Sequence, residues 1–210
     1  MILYHTLLRL GYRPFMRTLF RMEIAGADRI PATGPCVLAA NHESIVDPYV
    51  LGVVTGRPIH FMAKNELWRN RLTRLVMEGF GAFPVERGTG DNGAMGRAGQ
   101  LLADGELLGI FPQGTCLPRR RRPYLRGAAR LALATGSPLI PVCIVGTERI
   151  LRPHRTKVGL PKIRILVGRP LAVARQRPTL VDARRLIDQV EKAIKELRLP
   201  YGEPHHAWLD

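Results

Sequence analysis

The sequence predicts an α/β fold, with a mixed, largely parallel sheet flanked by helices and an N-terminal amphipathic helical segment. Short apolar runs alternate with segments whose apolar residues have helical spacing, which is the pattern of consecutive βαβ units. The chain has 210 residues, of which 46% are hydrophobic, so one domain can bury a sizeable core. We therefore expect a membrane-interface helical segment at 1–26, the main domain at 27–200 and a loose tail at 201–210.

The pattern of residues 1–22 predicts an amphipathic helix that can kink at Pro14. Its basic stripe repeats every four residues and consists of Arg9, Arg13, Arg17 and Arg21. Leucine and phenylalanine surround this stripe, an arrangement that suits the plane of an anionic bilayer. The same pattern is typical of a helix that packs on its domain and keeps a charged face in solvent. Both interpretations remain open at the level of sequence.

The later elements follow from apolar runs, helical spacing and turn residues. Strands are predicted at 36–40, 58–63, 81–85, 107–111, 139–145 and 163–167. Helices are predicted at 49–55, 66–78, 91–103, 126–135 and 179–198, and glycines weaken the third of these. Residues 27–35 contain two prolines and a glycine and predict a turn, whereas 119–122 form a basic run in a loop.

Three positions refine these boundaries. Asp47 and Pro48 have the types expected of an N-cap and a first helical residue. Thr179 and Asp182 form a variant capping box at the start of the last helix. Pro141 lacks a backbone donor, so the strand at 139–145 is expected at a sheet edge or with a bulge.

Composition limits the function classes. The formal net charge is +15, from 32 Lys and Arg against 17 Asp and Glu, which implies an anionic partner such as nucleic acid, a lipid surface or a phosphorylated substrate. Aromatic residues make up only 6% and do not alternate with basic ones, so no nucleic-acid partner is expected. The longest weakly charged stretches are interrupted by Gly and Pro, so no spanning helix is expected and membrane contact would be peripheral.

The three cysteines, Cys36, Cys116 and Cys143, are odd in number and form no CxxC pair. This pattern predicts neither a disulfide framework nor a zinc site, and a reducing compartment is expected. Cys36 and Cys143 lie in apolar runs and are expected to pack as small hydrophobic residues.

Polar residues follow several predicted strands at the point where each strand ends. His42, Lys64, Arg87 and Gln113 all take such positions. In α/β folds, ligands bind beyond the carboxyl ends of parallel strands. These four side chains are therefore expected to share one site.

His42 and Asp47 carry the most specific chemistry. A carboxylate bonded to one imidazole nitrogen fixes the tautomer, and the other nitrogen can then take a proton from a hydroxyl. Five positions apart on a helix would not bring the two together, but a turn at Glu43 and Ser44 would. On spacing alone, a helix-capping Asp47 beside a polar strand end explains the pattern as well.

Four blocks in order resemble the motif blocks of the glycerolipid acyltransferase family, in its lysophosphatidic acid (1-acyl-glycerol-3-phosphate) acyltransferase group. They are the Asn41-His42-x4-Asp47 block and the blocks at 81–88, 111–115 and 139–142. The segments 61–67 and 126–129 are also similar to family segments. The resemblance covers about residues 20–170.

The resemblance implies an O-acyltransferase that moves a fatty acyl group from acyl-CoA or acyl carrier protein to the hydroxyl of lysophosphatidic acid, giving phosphatidic acid in phospholipid synthesis. His42 would be the general base and Asp47 would orient it. The expected substrate-binding residues are Asn41, Lys64, Arg87, Gln113, Gly114, Thr115 and Arg126. No metal, cofactor or covalent enzyme intermediate is required, and the expected location is peripheral, on the cytoplasmic face of the cell membrane.

Two positions depart from the family pattern. The third block has Gln113 where the family usually has Glu, and Cys116 where it often has Arg. Losing an Arg removes a bidentate phosphate partner, which Arg126 or the basic run at 119–122 could replace unless that run is only a solvated loop. The alternatives are therefore another lysophospholipid or glycolipid hydroxyl as acceptor, or an inactive basic membrane-binding domain.

Overall fold

A seven-stranded sheet forms the centre of the molecule in the computed structural model, which describes residues 2–85, 92–116, 123–150 and 159–203. The strand order is β1-β7-β6-β2-β5-β3-β4. The strands are β1 (Glu23–Ala25), β2 (Cys36–Ala40), β3 (Ile59–Lys64), β4 (Ala82–Val85), β5 (Leu107–Ile110), β6 (Leu139–Val145) and β7 (Arg164–Val167). The block from β6 to β4 is parallel throughout, and β7 joins it antiparallel to β6. The α/β class with a mixed, largely parallel sheet is thus confirmed.

Six α-helices connect and cover these strands within the described residues. They are α1 (Ile2–Leu19), α2 (Asp47–Leu51), α3 (Arg71–Gly79), α4 (Asn92–Ala103), α5 (Gly127–Thr135) and α6 (Leu180–Arg198). The 3-10 turn Asn65–Trp68 precedes α3. Thr179 caps α6 as predicted, since its side chain accepts the backbone N–H of Asp182 at 3.1 Å.

The alternation of side chains along β2 divides the core into two layers. Leu38 and its neighbours on the same face pack with buried residues of α1 and α2. Val37 and Ala39 point the other way, into a layer formed with α4, α5 and α6. Every residue of β2 is fully buried, so this strand lies at the middle of the molecule. Its carboxyl end leads directly to Asn41 and His42.

The second half of α1 packs against the domain. Met16 and Phe20 are buried, the Tyr12 hydroxyl donates to the Tyr49 carbonyl at 2.9 Å, and the Arg13 Nε donates to the Val53 carbonyl at 3.3 Å. Arg13 is therefore partly withdrawn from the predicted basic stripe. An interfacial role for this helix stays a prediction, and none of the described helices is long and apolar enough to cross a bilayer.

The sequence predicted a sheet edge or a bulge at Pro141, and the edge is wrong. A one-residue shift in register does occur beside it, between the pairs Val142–Val167 and Leu139–Leu171, as in a bulge. β6 lies inside the sheet, between β7 and β2. The Leu139 N–H donates to Leu171 on the β7 side, so the nitrogen of Pro141, two residues on, faces the same side. The β6–β7 ladder ends at the pair Val142–Val167, and Pro141 therefore lies just beyond it, where no ladder donor is needed.

β1 has no counterpart among the predicted strands, and the predicted start of α2 is wrong. β1 is only three residues long and half exposed, so it has no apolar run to signal it, and it pairs with β7 at the sheet edge. Val46, not Asp47, is the residue before α2, and Asp47 lies within the first turn. Residues 204–210, which include most of the predicted tail, lie outside the described part of the chain.

Candidate active site

His42 and Asp47 form a hydrogen-bonded pair at the carboxyl end of β2. The His42 Nδ1 lies 2.9 Å from Asp47 Oδ2. The Asp47 side chain is completely buried and that of His42 is 14% exposed, so the imidazole lies between the interior and solvent. Because a carboxylate accepts, Nδ1 carries the proton and donates it to Asp47, which leaves Nε2 with a lone pair. This is the arrangement that general-base chemistry requires.

Asp47 reaches His42 because the chain turns sharply between the two residues. The same Oδ2 accepts the backbone N–H groups of Glu43 and Ser44, each at 2.7 Å. These bonds close the turn that the spacing of His42 and Asp47 demanded, and they hold a carboxylate that is removed from water. Asp47 thus caps the preceding loop instead of the following helix.

Asn41 fixes the backbone immediately before His42. Its Nδ2 donates to the Ile144 carbonyl at 2.8 Å, and its Oδ1 accepts the Ile144 N–H at 2.6 Å. The side-chain amide thereby takes the place of a backbone amide and extends the β2–β6 pairing by one residue. Asn41 is 3% exposed, so this geometry favours a positioning role, and its assignment to substrate binding stays a prediction.

Gln113 holds the backbone of His42 itself. Its Oε1 accepts the His42 N–H, and its Nε2 lies 3.5 Å from Glu43 Oε1. Gln113 follows β5, which lies directly beside β2, so the two strand ends meet as expected. The side chain is directed at the turn between His42 and Asp47, and substrate binding by Gln113 stays a prediction.

Phe111 is a site residue that the sequence reading did not assign. Its ring stacks on the His42 imidazole, with centroids 4.3 Å apart and an interplanar angle of 25°. Phe61 on β3 extends the stack, with its centroid 6.1 Å from that of Phe111. Phe111 comes one residue after β5, so the rule that parallel strand ends share an edge could have indicated it.

The loop after Gln113 is held by residues just before α5. Gly114 has φ +71, a left-handed conformation that favours glycine, and its N–H donates to the Phe111 carbonyl at 3.0 Å. The Leu125 N–H donates to the Pro112 carbonyl at 2.8 Å, which places the exposed Arg126 one residue further along the same edge. Arg126 and the Gln113–Thr115 loop are thus neighbours in the fold.

The side chains of the other predicted anion-binding positions lie outside the described part of the structure. Lys64 ends β3 at the same edge of the sheet, and only its backbone is described. Arg87 and the basic run 119–122 lie outside the described residues. Their assignments stay predictions.

Comparison with known proteins identifies the family. The model of the family described as Acyltransferase matches residues 21–145, which contain β1 to β6 and the whole His42 site. The chain belongs to the acyltransferase family. The resemblance drawn from the four motif blocks is thereby confirmed.

Named relatives of this acyltransferase agree with that assignment. It is 30% identical over 179 residues to the 1-acyl-sn-glycerol-3-phosphate acyltransferase of Bacillus subtilis, a match that covers 84% of this chain and 87% of the relative. It is 26% identical to a chloroplastic protein of the same name from Brassica napus, and covers 46% of that longer chain. The crystal structure of PlsC from Thermotoga maritima, a 1-acyl-sn-glycerophosphate acyltransferase, has the same fold, with a TM-score of 0.71 over 92% of this chain and 82% of that chain at 19% identity.

The buried cysteines of the acyltransferase are poor nucleophiles. Burial raises the pKa of both Cys36 and Cys143 from 9.0 to about 12. Their thiols are therefore protonated at neutral pH, and only a thiolate attacks an acyl group readily. Acyl transfer through either of these two thiols is therefore disfavoured.

Proposed function

We propose that this acyltransferase moves a fatty acyl group from an acyl thioester to the free hydroxyl of lysophosphatidic acid, giving phosphatidic acid. The observation that carries the proposal is the bond of 2.9 Å between His42 Nδ1 and the buried Asp47. In the neutral imidazole this bond fixes the proton on Nδ1 and leaves the lone pair of Nε2 available to accept a proton. The names of the Bacillus and Brassica relatives support lysophosphatidic acid as the acceptor.

The proposed reaction begins with proton transfer to His42. Its Nε2 takes the proton of the acceptor hydroxyl as the oxygen attacks the thioester carbonyl, and the imidazolium formed is stabilised by Asp47. The tetrahedral intermediate collapses, its carbon–sulfur bond breaks, and the thiolate that leaves takes the proton back from His42. The ester and a free thiol are the products, and His42 returns to its starting state.

Asp47 contributes by holding one tautomer and one ring orientation. Three hydrogen bonds fix its Oδ2, and Phe111 stacks on the imidazole, so His42 has little freedom to rotate. General-base catalysis of this kind contributes about 10²–10⁴-fold to the rate. The rest must come from positioning of the two substrates and from stabilisation of the oxyanion.

The acceptor phosphate is assigned to the basic residues around the strand ends. Arg87 and Arg126 are the proposed cationic partners, and Lys64, Gly114 and Thr115 are the other residues proposed to bind the acceptor. Arg presents a planar fork that matches phosphate, which is why these positions are favoured. Asn41 and Gln113 contact the catalytic turn and support the site from behind.

The acyl donor is proposed to be acyl-CoA or acyl carrier protein, and the enzyme is proposed to work from the cytoplasmic face of the cell membrane. The net charge of +15 favours attachment to an anionic surface, and the acceptor is itself an anionic lipid.

The proposal is tested with purified protein, lysophosphatidic acid and labelled acyl-CoA or acyl carrier protein, with phosphatidic acid as the measured product. His42→Ala should lower kcat by about 10²–10⁴-fold or more, because it removes the general base. His60→Ala is the matched control. His60 also lies near a carboxylate, 3.7 Å from Glu106, but on the second residue of β3, towards the opposite edge of the sheet.

Two results would contradict the proposal. One is equal loss of activity in the His42 and His60 variants, and the other is the absence of phosphatidic acid from the wild-type protein with either donor. The same assay with other lysophospholipids and with glycolipid hydroxyls tests the acceptor, because Gln113 and Cys116 depart from the family pattern. A higher kcat/KM for one of these acceptors would make it the preferred acceptor in place of lysophosphatidic acid. The proposed acyl transfer itself would stand.

A further inference from the structure

The segment 65–79, here called the α3 surface, exposes leucines that a folded domain normally buries. It consists of the turn Asn65–Trp68 and α3, and no residue of either element is buried. Leu72 is 69% exposed, Leu75 is 63% exposed and Leu67 is 38% exposed. Single exposed leucines are common, but a cluster of them on one short segment marks a contact site.

α3 is an amphipathic helix that exposes Leu72 and Leu75, whereas Val76 and Met77 are half-buried. Leu72 and Leu75 are three positions apart and lie on one face of the helix. Arg71 and Arg74 have the same spacing and form the next row. The helix has a firm start, because Asn70 accepts the backbone N–H groups of Leu72 and Thr73. It is therefore a formed helix that presents Leu and Arg together.

The α3 surface carries the arginines Arg69, Arg71 and Arg74 against the glutamates Glu66 and Glu78, so a small excess of positive charge favours an anionic partner. Arg74 pairs with Glu78 at 2.8 Å, and within the described part of the chain no acidic partner is recorded for the exposed Arg69 or Arg71. Two exposed guanidinium groups beside exposed leucines match the boundary between phosphate head groups and acyl chains.

The α3 surface also begins at the edge of the sheet that carries His42. The turn Asn65–Trp68 follows directly after β3, and β3 runs parallel to β5, which runs parallel to β2. The carboxyl ends of these strands lie on one side, and His42 follows β2 there. A lipid layer in contact with the α3 surface would thus lie next to the catalytic edge.

We propose that the α3 surface inserts its leucines into the interface of an anionic membrane and so holds the catalytic edge against the lipid layer. This surface is distinct from the N-terminal segment to which the sequence assigned membrane contact. Membrane binding by the α3 surface does not depend on the proposed function. Only its benefit rests on that function, because an acceptor in the bilayer must reach His42. Vesicle binding requires no acyl donor, so it can be measured whether or not acyl transfer is observed.

The test is sedimentation of the full chain with vesicles of phosphatidylcholine and phosphatidylglycerol. Leu72→Glu/Leu75→Glu should weaken binding by at least about tenfold, because the membrane contact loses two leucines and gains two negative charges. The matched control is Leu180→Glu/Val181→Glu, which changes the charge equally at two residues of α6 that are 66% and 67% exposed. The milder Leu72→Ser/Leu75→Ser variant separates lost apolar contact from lost charge, and circular dichroism with thermal melting checks that each variant folds.

Three outcomes would overturn the proposal. The first is an equal loss of binding in both Glu pairs, which would mean that net charge alone governs binding. The second is unchanged binding of the α3 variants to vesicles. The third is a wild-type dimer in analytical ultracentrifugation that the Leu72→Ser/Leu75→Ser change dissociates without loss of vesicle binding, since the leucines would then contact a second copy of the chain.

Discussion

Asp47 is the residue whose environment most constrains the chemistry of the site. It is fully buried, and its Oδ2 accepts from the imidazole and from two backbone N–H groups. The other oxygen, Oδ1, is buried and has no partner among the described residues. A buried carboxylate that is only partly satisfied is costly to the fold, so its function explains its presence better than stability does.

We expect Asp47→Asn to lower kcat by about 10²–10⁴-fold and to change both KM values much less, because the substitution removes the stabilising charge and releases the tautomer of His42. Steady-state kinetics with separate variation of donor and acceptor measure this. A rise in the acceptor KM with an unchanged kcat would contradict it, since Asp47 would then bind substrate.

Gln113 provides a second test at the scale of one side chain. Gln113→Ala should lower kcat by about tenfold, because the His42 N–H loses its acceptor and the catalytic turn is less fixed. Gln113→Glu keeps an acceptor for that N–H but places a carboxylate beside Glu43. Because the acceptor for the His42 N–H is kept, Gln113→Glu is expected to retain more activity than Gln113→Ala, and equal losses in the two variants would argue against this geometry.

At this scale His42 and Asp47 could be predicted from their place after a buried strand and from the motif. It did not indicate that Asn41 and Gln113 hold backbone groups, because both types hydrogen-bond equally well to ligands. Phe111 was missed for a related reason. An aromatic residue at the end of an apolar run gives no sign that it stacks on a histidine from another strand.

Among the elements, β5 has a contact with β3 that only glycine permits. A Cβ added to Gly109 would overlap the Cε1 atom of Phe61, whose ring stacks on Phe111. Phe111 in turn stacks on His42. The absence of a side chain at Gly109 thus allows an aromatic row that ends at the His42 imidazole.

Gly109→Ala is expected to destabilise the fold by about 1–3 kcal/mol and to lower kcat, since Phe61 must move and the row shifts with it. Chemical denaturation and steady-state kinetics measure the two effects. Gly99→Ala is the matched control, because nothing lies within 4 Å of its added Cβ and it is in α4, where it should stabilise by up to about 1 kcal/mol. Restoration of kcat in Gly109→Ala/Phe61→Leu would support the steric cause, whereas full activity of Gly109→Ala would contradict it.

The elements that the sequence predicted well have a strong local signal. β2 is a purely apolar run, and α6 has both helical spacing and a cap at Thr179. The errors concern tertiary context. β1 exists because β7 offers it an edge, and Pro141 is tolerated inside the sheet because the neighbouring ladder stops beside it.

For the whole molecule, several buried groups are held in their neutral form. Burial raises the pKa of Cys36 and Cys143 to about 12 and raises the pKa of Tyr12 and Tyr124 above its ordinary value. Above about pH 9 the unfolded chain loses these thiol protons while the folded protein keeps them. The folded state then binds more protons, so the free energy of unfolding decreases as pH rises.

We expect the midpoint temperature of thermal unfolding to decrease as the pH is raised from about 8 to about 10.5. In Cys36→Ala/Cys143→Ala this decrease should be less steep. Differential scanning calorimetry across this range measures both slopes. The double variant will also be less stable at pH 8 through lost packing, so the comparison concerns the slopes alone. Equal slopes would contradict a contribution from the thiols.

The two hydrogen bonds between Asn41 and Ile144 have a consequence for how the protein acquires its activity during folding. The His42–Asp47 pair joins residues only five apart, so it can form as soon as this turn is made. Gln113 and Ile144, which hold His42 and Asn41, are 71 and 103 residues away along the chain. Contacts of such long range form late, because the intervening chain must first be ordered. Acyl transfer in a refolding protein should therefore return with the docking of β6 onto β2, well after the loop between His42 and Asp47 has closed.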